Sequence, residues 1–270
     1  MSFDLNSINK GACVKAPRIQ ILGDIKIGKT SFAAGYCNQG RDKTADTDTT
    51  LIIPISGETG ADGLDVDKTD PVESFDKLRE ILEWIATQEH HYNRIVIDST
   101  SALGPIINDH VCAINGNAPN VRKIAGFRVG EAAVDNCWVQ VTKDLDKLRA
   151  RGIVVFLVSH VIVKGFNDPT SEKYDRYQTD LEANAAGIVS KWCDMILFAK
   201  TDKIMRTEEA GFGEVNRKRA DQVNTTRWIY TRATPTTPGG VRPEYAKLPE
   251  KLELDWAIFR AAVGDCLSQS

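Results

Sequence analysis

The sequence has no long hydrophobic run. No segment approaches the ~18 consecutive apolar residues of a membrane-spanning helix. Residues 1–4 also lack the charged and apolar regions of a secretory signal peptide. These absences argue against a membrane-embedded protein. We expect a protein of the cytoplasm that has no membrane partner.

Cysteines are few and scattered. The chain has six, with no C-x-x-C pair and no histidines at the spacing of a zinc site. This pattern argues against a disulfide framework and indicates reduced, mainly buried thiols in a reducing compartment. Internal repeats, low-complexity tracts and convincing linkers are absent as well. We therefore expect a loose arm over residues 1–16 and a single domain over residues 17–270.

A strong positive charge is also lacking. The formal net charge of −3 excludes a protein that is basic all over, so a nucleic-acid partner would need a local basic stripe. Residues 200–232 are the one extended stretch with a basic excess, eight Lys or Arg against five acids. A solvated hairpin is an equally good interpretation of that stretch.

The clearest motif lies at residues 23–30, which match the phosphate-binding pattern G-x-x-x-x-G-K-[ST] at every fixed position. A short apolar run precedes the motif and a helical pattern follows it, as a phosphate loop (P-loop) requires. Lys29 would reach the β- and γ-phosphates, and the Thr30 hydroxyl would hold Mg²⁺. We expect Asp24 to reduce the affinity for ATP unless it turns outward. The predicted nucleotide-binding residues are Gly23, Asp24, Ile25, Lys26, Ile27, Gly28, Lys29, Thr30 and Ser31.

Three polar side chains follow later predicted strands. Glu58 lies in a glycine-flanked turn after residues 51–55, and Asp98 ends the strand over residues 94–98. Ser99, not a second acid, follows Asp98, so Glu58 is the best candidate for the base that activates water. His160 follows the most apolar strand and could sense the γ-phosphate. A solvated loop acid and a strand-edge histidine are the alternatives.

The pattern of elements predicts an α/β fold, a mostly parallel sheet flanked by helices. Strands are expected near residues 19, 52, 95, 154, 195 and 228, and helices over residues 71–90, 134–150 and 255–267. Glycine and proline predict a substantial loop within residues 104–128. Residues 164–184 are predicted to form a polar, mobile loop. Its aromatic and basic residues 174–177 suit either stacking on unpaired bases or packing on their own domain.

This constellation resembles the RecA/RadA recombinase core, with a RecA-like P-loop NTPase fold. The P-loop, Glu58, Asp98-Ser99 and Ser159-His160 carry that resemblance. Other segments resemble phage-encoded AAA-type nucleotide-binding proteins, a group that includes RecA-related ATPases supporting single-strand annealing. Together the resemblance covers residues 18–260. The segments similar to the phage-encoded group are residues 158–161, 168–169, 174–177, 191–194 and 246–249.

The resemblance implies ATP and Mg²⁺ as cofactors, Lys29, Glu58 and His160 as catalytic residues, and Thr30 and Asp98 as metal ligands. It also implies a homo-oligomeric ring or filament in the host cytoplasm. The loops after Asp98 and His160 would face single-stranded DNA, and a single-stranded-DNA-binding protein is a further expected partner. Basic residues expected near residues 181–184 and 126–130 are few, which indicates weak DNA contact or contact shared by many subunits.

We therefore expect an ATP-hydrolysing, single-stranded-DNA-binding recombination or annealing protein. A neighbouring subunit would complete each site with a cation, for which Lys200, Lys203 and Arg206 are candidates. The alternative is a nucleotide-switched assembly or regulatory ATPase without a DNA role, which the negative charge favours. A small-molecule kinase is a third possibility, although no lid-like arginine cluster follows the P-loop.

Overall fold

The computed structural model describes residues 15–167, 172–202 and 226–268, and the backbone alone of residues 204–208 and 217–221. The described residues form thirteen strands. These are β1 (Arg18–Gly23), β2 (Thr50–Pro54), β3 (Asp67–Lys68), β4 (Arg94–Asp98), β5 (Val154–Ser159), β6 (Val161–Phe166), β7 (Tyr174–Thr179), β8 (Met195–Thr201), β9 (Ile204–Glu208), β10 (Arg217–Asp221), β11 (Arg227–Tyr230), β12 (Gly240–Val241) and β13 (Lys251–Glu253).

Nine of these strands form one sheet in the order β13-β11-β8-β1-β5-β4-β2-β3, with β12 also paired to β8. The six strands from β8 to β3 run parallel, so their carboxyl ends meet at one edge. β11 and β12 run antiparallel to β8. Strand β5 lies between β1, which leads into the P-loop, and β4, which ends in Asp98.

Six α-helices flank the sheet in the described part of the chain. They are α1 (Lys29–Ala33), α2 (Phe75–Thr87), α3 (Thr100–Ile114), α4 (Val129–Ala150), α5 (Ala183–Trp192) and α6 (Trp256–Ser268). Short 3₁₀ turns occupy Asn38–Gly40, Thr47–Thr49, Val121–Lys123 and Pro243–Tyr245. None of the described helices is long and apolar enough to cross a membrane.

Each face of the sheet has its own hydrophobic core, because side chains alternate along the strands. In β4, Ile95 and Ile97 pack with α2, α3, α4 and α5, whereas Val96 packs on the opposite face with α1 and α6. Phe32 of α1 makes edge-to-face contacts with the rings of Trp256 and Phe259 in α6. The P-loop helix is thereby fixed to the C-terminal helix.

The structure confirms the α/β class and the mostly parallel sheet, with every predicted strand position occupied. The helices predicted over residues 71–90, 134–150 and 255–267 are present as α2, α4 and α6. The late strand β11 departs from the parallel direction of its neighbours. The predicted loop within residues 104–128 begins only after Ile114, because α3 continues through Pro105.

The prediction of a mobile loop over residues 164–184 is wrong. β6 and β7 form an antiparallel hairpin that pairs Val161 with Thr179 at one end and Phe166 with Tyr174 at the other, and α5 begins at Ala183. The tyrosines of this hairpin contact other rings: Tyr177 packs on Phe198 of β8, and Tyr174 on Phe166. Two interpretations were possible for this segment. The contact of Tyr177 agrees with the second of them, packing on the protein's own domain.

Several predictions fall on residues outside the described part of the chain: most of the N-terminal arm, Asp168-Pro169 and Lys203. Of Arg206 only the backbone is described, in the two-stranded β9–β10 sheet. No disulfide joins the five described cysteines, and two of them, Cys193 and Cys266, are buried. The described residues hold no cluster of His, Cys, Asp and Glu suited to a metal ion.

Candidate nucleotide site

The P-loop leaves β1 through a glycine that no other residue could replace without a shift. A Cβ at Gly23 would lie 2.3 Å from the carbonyl oxygen of Ala199 in the neighbouring strand β8. Gly28, which immediately precedes α1, has a φ of 104°, in the left-handed region that favours glycine. These two glycines let the loop fold back over the end of the sheet. The backbone N–H groups at the start of α1 are then available to an anion.

Lys29 is buried at the base of the loop. Its Nζ donates hydrogen bonds of 2.8 Å to the carbonyl oxygens of both Gly23 and Asp24. Burial lowers the pKa of Lys29 to about 8, against the opposing attraction of Asp98, Asp24 and Glu58. The lysine therefore lies inside a cradle of carbonyl groups, at the position where the motif places the β- and γ-phosphates.

Thr30 and Asp98 form a pair of oxygen ligands at the carboxyl edge. The Thr30 hydroxyl donates a 2.7 Å hydrogen bond to Asp98 Oδ2. Burial raises the pKa of Asp98, and the nearby charge of Glu58 adds to the rise. A Cβ at Gly60 would lie 2.8 Å from Thr30 Oγ1, so the glycine keeps the space beside this pair open. A hydroxyl and a carboxylate with adjacent space fit Mg²⁺, which uses few protein ligands when phosphates supply the others.

Glu58 is held at the same edge by two neighbours. Its Oε1 accepts a hydrogen bond from Ser99 Oγ at 2.5 Å and lies 3.0 Å from His160 Nε2. The hydrogen bond with His160 lowers the pKa of Glu58, the bond with Ser99 lowers it further, and burial opposes both. Because both neighbours contact Oε1, Oε2 is left to accept a proton from water. The Glu58 side chain is thus an ionised, oriented carboxylate.

A buried polar chain lies beneath these groups and connects three elements. Gln20 of β1 donates to the Ser159 hydroxyl at 3.0 Å, and that hydroxyl lies 2.7 Å from Thr100 Oγ1 at the start of α3. The backbone N–H of His160 donates to Ser101 Oγ in the same helix. The Ser159 side chain therefore lies buried beneath the site, whereas the His160 side chain faces the site.

The side chains of Lys29, Thr30, Glu58, Asp98 and His160 all line one cavity of about 430 Å³. It is lined by Ile25, Lys26, Gly28, Lys29, Thr30, Ser31, Gly57, Glu58, Thr59, Gly60, Asp98, Val158, His160 and Arg227. Its floor is the carboxyl edge of β1, β4 and β5, where open α/β sheets bind ligands. The structure thus brings together the predicted P-loop residues, Glu58, Asp98 and His160 in one place.

Three of the predicted nucleotide-binding residues do not line this cavity. Ile27 packs in the core shared by α1 and α6. Gly23 and Asp24 contribute the carbonyl oxygens that accept from Lys29. The Asp24 side chain is half-buried and is absent from the cavity lining.

Residues 15–242 match a protein-family model described as "AAA domain". This match decides the classification. The chain belongs to the AAA domain family. This AAA domain is a P-loop domain, and its mostly parallel sheet and P-loop confirm the predicted α/β P-loop fold. No curated protein matches it by sequence.

Two solved structures resemble this AAA domain weakly. The crystal structure of KaiC-like protein PH0186 from Pyrococcus horikoshii OT3 is 11% identical with a TM-score of 0.39, covering 84% of this chain and 83% of that one. The crystal structure of flagellar accessory protein FlaH from Methanocaldococcus jannaschii is 10% identical with a TM-score of 0.41, covering 88% of this chain and 84% of that one.

Arg227 of the AAA domain is a site residue that the sequence did not predict. It begins β11, and its Nη1 would lie 2.9 Å from a Cβ placed on Gly28. The sequence feature that could have pointed to Arg227 is its position as a basic residue at the start of a predicted strand. Only the antiparallel direction of β11 brings that start to the same edge as the P-loop.

Proposed function

We propose that this AAA domain binds and hydrolyses ATP and acts as an oligomer on single-stranded DNA in recombination or annealing. The observation that carries the proposal is the convergence of Lys29, Thr30, Asp98, Glu58 and His160 on one cavity. A phosphate cradle alone would indicate binding. An ionised carboxylate held by two neighbours across the same cavity adds the group that hydrolysis requires.

In this proposal, different residues of the chain have different roles in hydrolysis. Lys29 and the backbone N–H groups of the loop bind the β- and γ-phosphates and stabilise the charge that develops there. Thr30 and Asp98 would hold Mg²⁺, which neutralises phosphate charge when bound. Glu58 orients a water molecule and accepts its proton at Oε2. His160 holds Glu58 through Oε1 and responds to the γ-phosphate through that contact.

Two segments support the DNA part of the proposal, because each begins at the nucleotide site. α3 starts beside Ser99 and leads to the loop over residues 115–128. That loop carries the basic residues Arg122, Lys123 and Arg128, and beside them Phe127 is 95% exposed. An exposed aromatic ring among cations suits stacking on an unpaired base while the cations contact phosphates.

The second segment is the β6–β7 hairpin. It begins after His160, and Asp180 just beyond its second strand donates its N–H to the His160 carbonyl at 2.9 Å. In the register of the hairpin, Lys164 lies directly opposite Arg176. Like charges placed opposite each other destabilise a strand pair, so an anion between them would relieve the repulsion. A DNA phosphate is such an anion.

Oligomer formation would make up for the small number of cations in each subunit. Arg128 is the only basic residue in residues 126–130, and residues 181–184 contain none. Several weak contacts on linked subunits bind together far more tightly than one does alone. Lys200 stays a candidate for the cation supplied to a neighbouring site; in its own subunit its Nζ lies over the Tyr230 ring at 4.4 Å. Lys203 and Arg206 also stay candidates.

Two variants test the hydrolytic site. Glu58→Gln keeps the size of the side chain and removes the base, so we expect it to bind ATP as the wild type does and to lose most of its turnover. Lys29→Ala should lose tight ATP binding. Equal turnover by Glu58→Gln and the wild type would rule out Glu58 as the base.

Fluorescence anisotropy of a labelled single strand tests DNA binding. We expect affinity that falls steeply as salt rises, because cations that contact phosphates release counterions. The double variant Arg122→Gln/Lys123→Gln should bind more weakly and show a shallower salt response, while Lys77→Gln on the exposed face of α2 serves as the control. The same affinity at all salt concentrations would contradict a phosphate contact.

The second candidate is a nucleotide-switched assembly or regulatory protein without a DNA role. The net charge of −3 and the absence of basic residues at 181–184 favour it. Oligomer size measured with and without ATP, in the absence of DNA, distinguishes the two. ATP-driven assembly that does not bind single strands would support this candidate over the first. A small-molecule kinase is the remaining possibility, and ATP turnover without a phosphorylated product would exclude it.

A further inference from the structure

The backbone of Glu58 belongs to a loop over residues 57–66, which connects β2 to β3 and contains no helix or strand. Two neighbours hold the tip of the Glu58 side chain, but they do not contact the rest of the loop. Three of its ten residues are glycines, which lose more conformational freedom on ordering than other residues do. The position of Glu58 therefore depends on contacts that fix the loop backbone.

Lys68 of β3 contacts the middle of this loop. Its Nζ donates hydrogen bonds to the carbonyl oxygens of Ala61 at 3.0 Å, Leu64 at 3.2 Å and Asp62 at 3.5 Å. A lysine ammonium has three N–H donors, so three carbonyl groups use all of them. Hydrogen bonds from a charged donor are stronger than those between neutral groups. Lys68 thus holds residues 61–64 around one cation.

Tyr36 contacts the end of the same loop. Its hydroxyl accepts a hydrogen bond of 2.9 Å from the N–H of Asp65 and donates one of 3.2 Å to the carbonyl oxygen of that residue. The N–H of Tyr36 donates to the Ser31 carbonyl in α1 at 3.0 Å. The end of the loop is thereby attached to the helix that follows the P-loop. This attachment leaves residues 61–64 to Lys68.

Gly60 connects the part held by Lys68 to the candidate base. A Cβ at Gly60 would lie 2.8 Å from Thr30 Oγ1 and 3.4 Å from Asp98 Oδ2, so the loop passes directly beside the two candidate Mg²⁺ ligands. Ala61, the next residue, is buried in the core shared by α1 and α6. A displacement of residues 61–64 would therefore move Glu58 relative to the phosphates.

We propose that Lys68 is a positioning residue for Glu58. The inference rests on Glu58 as the base for ATP hydrolysis, as proposed above. Lys68 does not line the phosphate cavity, and it acts through the carbonyl oxygens of the loop. Its loss therefore slows the chemical step and spares ATP binding. A displacement of about 1 Å in a catalytic group can cost about 10²-fold in rate.

The first test replaces the ammonium without shortening the side chain. Lys68→Met removes the three donors. Lys43→Met is the matched control, because Lys43 contacts the same loop through the exposed side chain of Asp65, at 2.9 Å. An ion pair between exposed side chains contributes little.

We expect Lys68→Met to lower kcat roughly tenfold while the KM and Kd for ATP stay within about twofold of the wild type. Lys43→Met should behave as the wild type does. An unchanged kcat in Lys68→Met would overturn the assignment, and so would an equal loss in the two variants or a matching loss of ATP affinity.

A double variant tests whether Lys68 acts through the base. When Glu58 is already replaced in Glu58→Gln, the position of the loop no longer matters for proton transfer. Lys68→Met added to Glu58→Gln should therefore cause no further loss of turnover. A further tenfold loss would show that Lys68 acts by another route and would overturn the inference.

Hydrogen exchange of the amides in residues 57–66 tests the contact without ATP. We expect exchange at least about threefold faster in Lys68→Met than in the wild type and Lys43→Met, because the loop opens more often. Equal exchange in the three proteins would overturn the inference. A wild-type protein without ATP turnover would show instead that the proposed function fails, while the exchange rates still decide whether Lys68 fixes the loop.

Discussion

The charge of Lys29 depends on whether the site holds a nucleotide. Burial lowers its pKa to about 8, whereas a lysine in water titrates near 10.4. Above pH 8 the free protein therefore increasingly has a neutral lysine in the P-loop. Bound phosphate requires the charged form, so binding must be accompanied by proton uptake in that range.

We predict that ATP affinity falls as the pH rises through about 8, with a slope that approaches about tenfold for each pH unit well above that value. Calorimetry across pH, in buffers of different ionisation enthalpy, measures both the affinity and the proton uptake. Lys26→Gln is the control, because Lys26 lines the same cavity but is exposed and should leave the midpoint unchanged. A midpoint that moves in Lys26→Gln would contradict the assignment to Lys29.

Ser99 has two hydrogen-bonding roles. Its hydroxyl donates to Glu58 Oε1 and accepts from the N–H of Ala102 at 3.2 Å, which caps α3. It is fully buried between the base and the helix. Ser99 is therefore a positioning residue for Glu58. Sequence reasoning noted only that it is not a second acid.

We predict that Ser99→Ala lowers kcat by about tenfold with little change in KM, since a hydrogen bond to a charged group is worth roughly 1.5–3 kcal/mol. Loss of this bond also raises the pKa of Glu58, so the acid limb of the pH–rate profile moves to higher pH. Ser74→Ala is the matched control, because Ser74 caps α2 with the same 3.2 Å geometry far from the site. A shift of the acid limb in Ser74→Ala, or none in Ser99→Ala, would refute the assignment.

At the scale of elements, the pairing of β1 with β8 depends on the close approach at Gly23. We expect Gly23→Ala to lower the free energy of unfolding by about 1–3 kcal/mol, because its Cβ would collide with the Ala199 carbonyl. Gly264→Ala in α6 is the control: a Cβ there meets nothing within 4 Å, and alanine favours a helix. Urea denaturation of the two variants measures both effects. Equal stability of Gly23→Ala and the wild type would contradict the close approach.

The elements that carry the site could be predicted from the sequence because their signals are local. Strands such as β4 and β5 are buried on both faces, so each appears as a continuous apolar run. The polar side chains that end or follow such strands must then share one edge of a parallel sheet. This reasoning located Glu58, Asp98 and His160 without knowledge of the strand order.

Elements determined by distant contacts could not be predicted in the same way. From Lys164 onward the β6–β7 hairpin is mostly polar and only partly buried, so this part of the sequence lacks an apolar pattern that would predict strands. α3 contains Pro105, yet packing of Leu103, Ile107 and Val111 in the core stabilises the helix through it. Arg227 reaches the site only because β11 runs antiparallel to β8, a direction that its sequence does not encode.

At the scale of the whole molecule, the candidate nucleotide site is connected to both of the segments that we propose contact a single strand. His160 connects Glu58 to the hairpin, and Ser99 connects Glu58 to α3 and the loop beyond it. A change at the γ-phosphate would therefore reach both segments through one carboxylate. By linkage, a strand bound at those segments must in turn affect ATP at the site.

The most direct test of this account is the rate of ATP hydrolysis measured with and without single-stranded DNA at low and high salt. We predict that turnover rises severalfold when DNA is added at low salt, and that high salt abolishes the rise because it releases the strand. Turnover that is the same with and without DNA at every salt concentration would contradict the account.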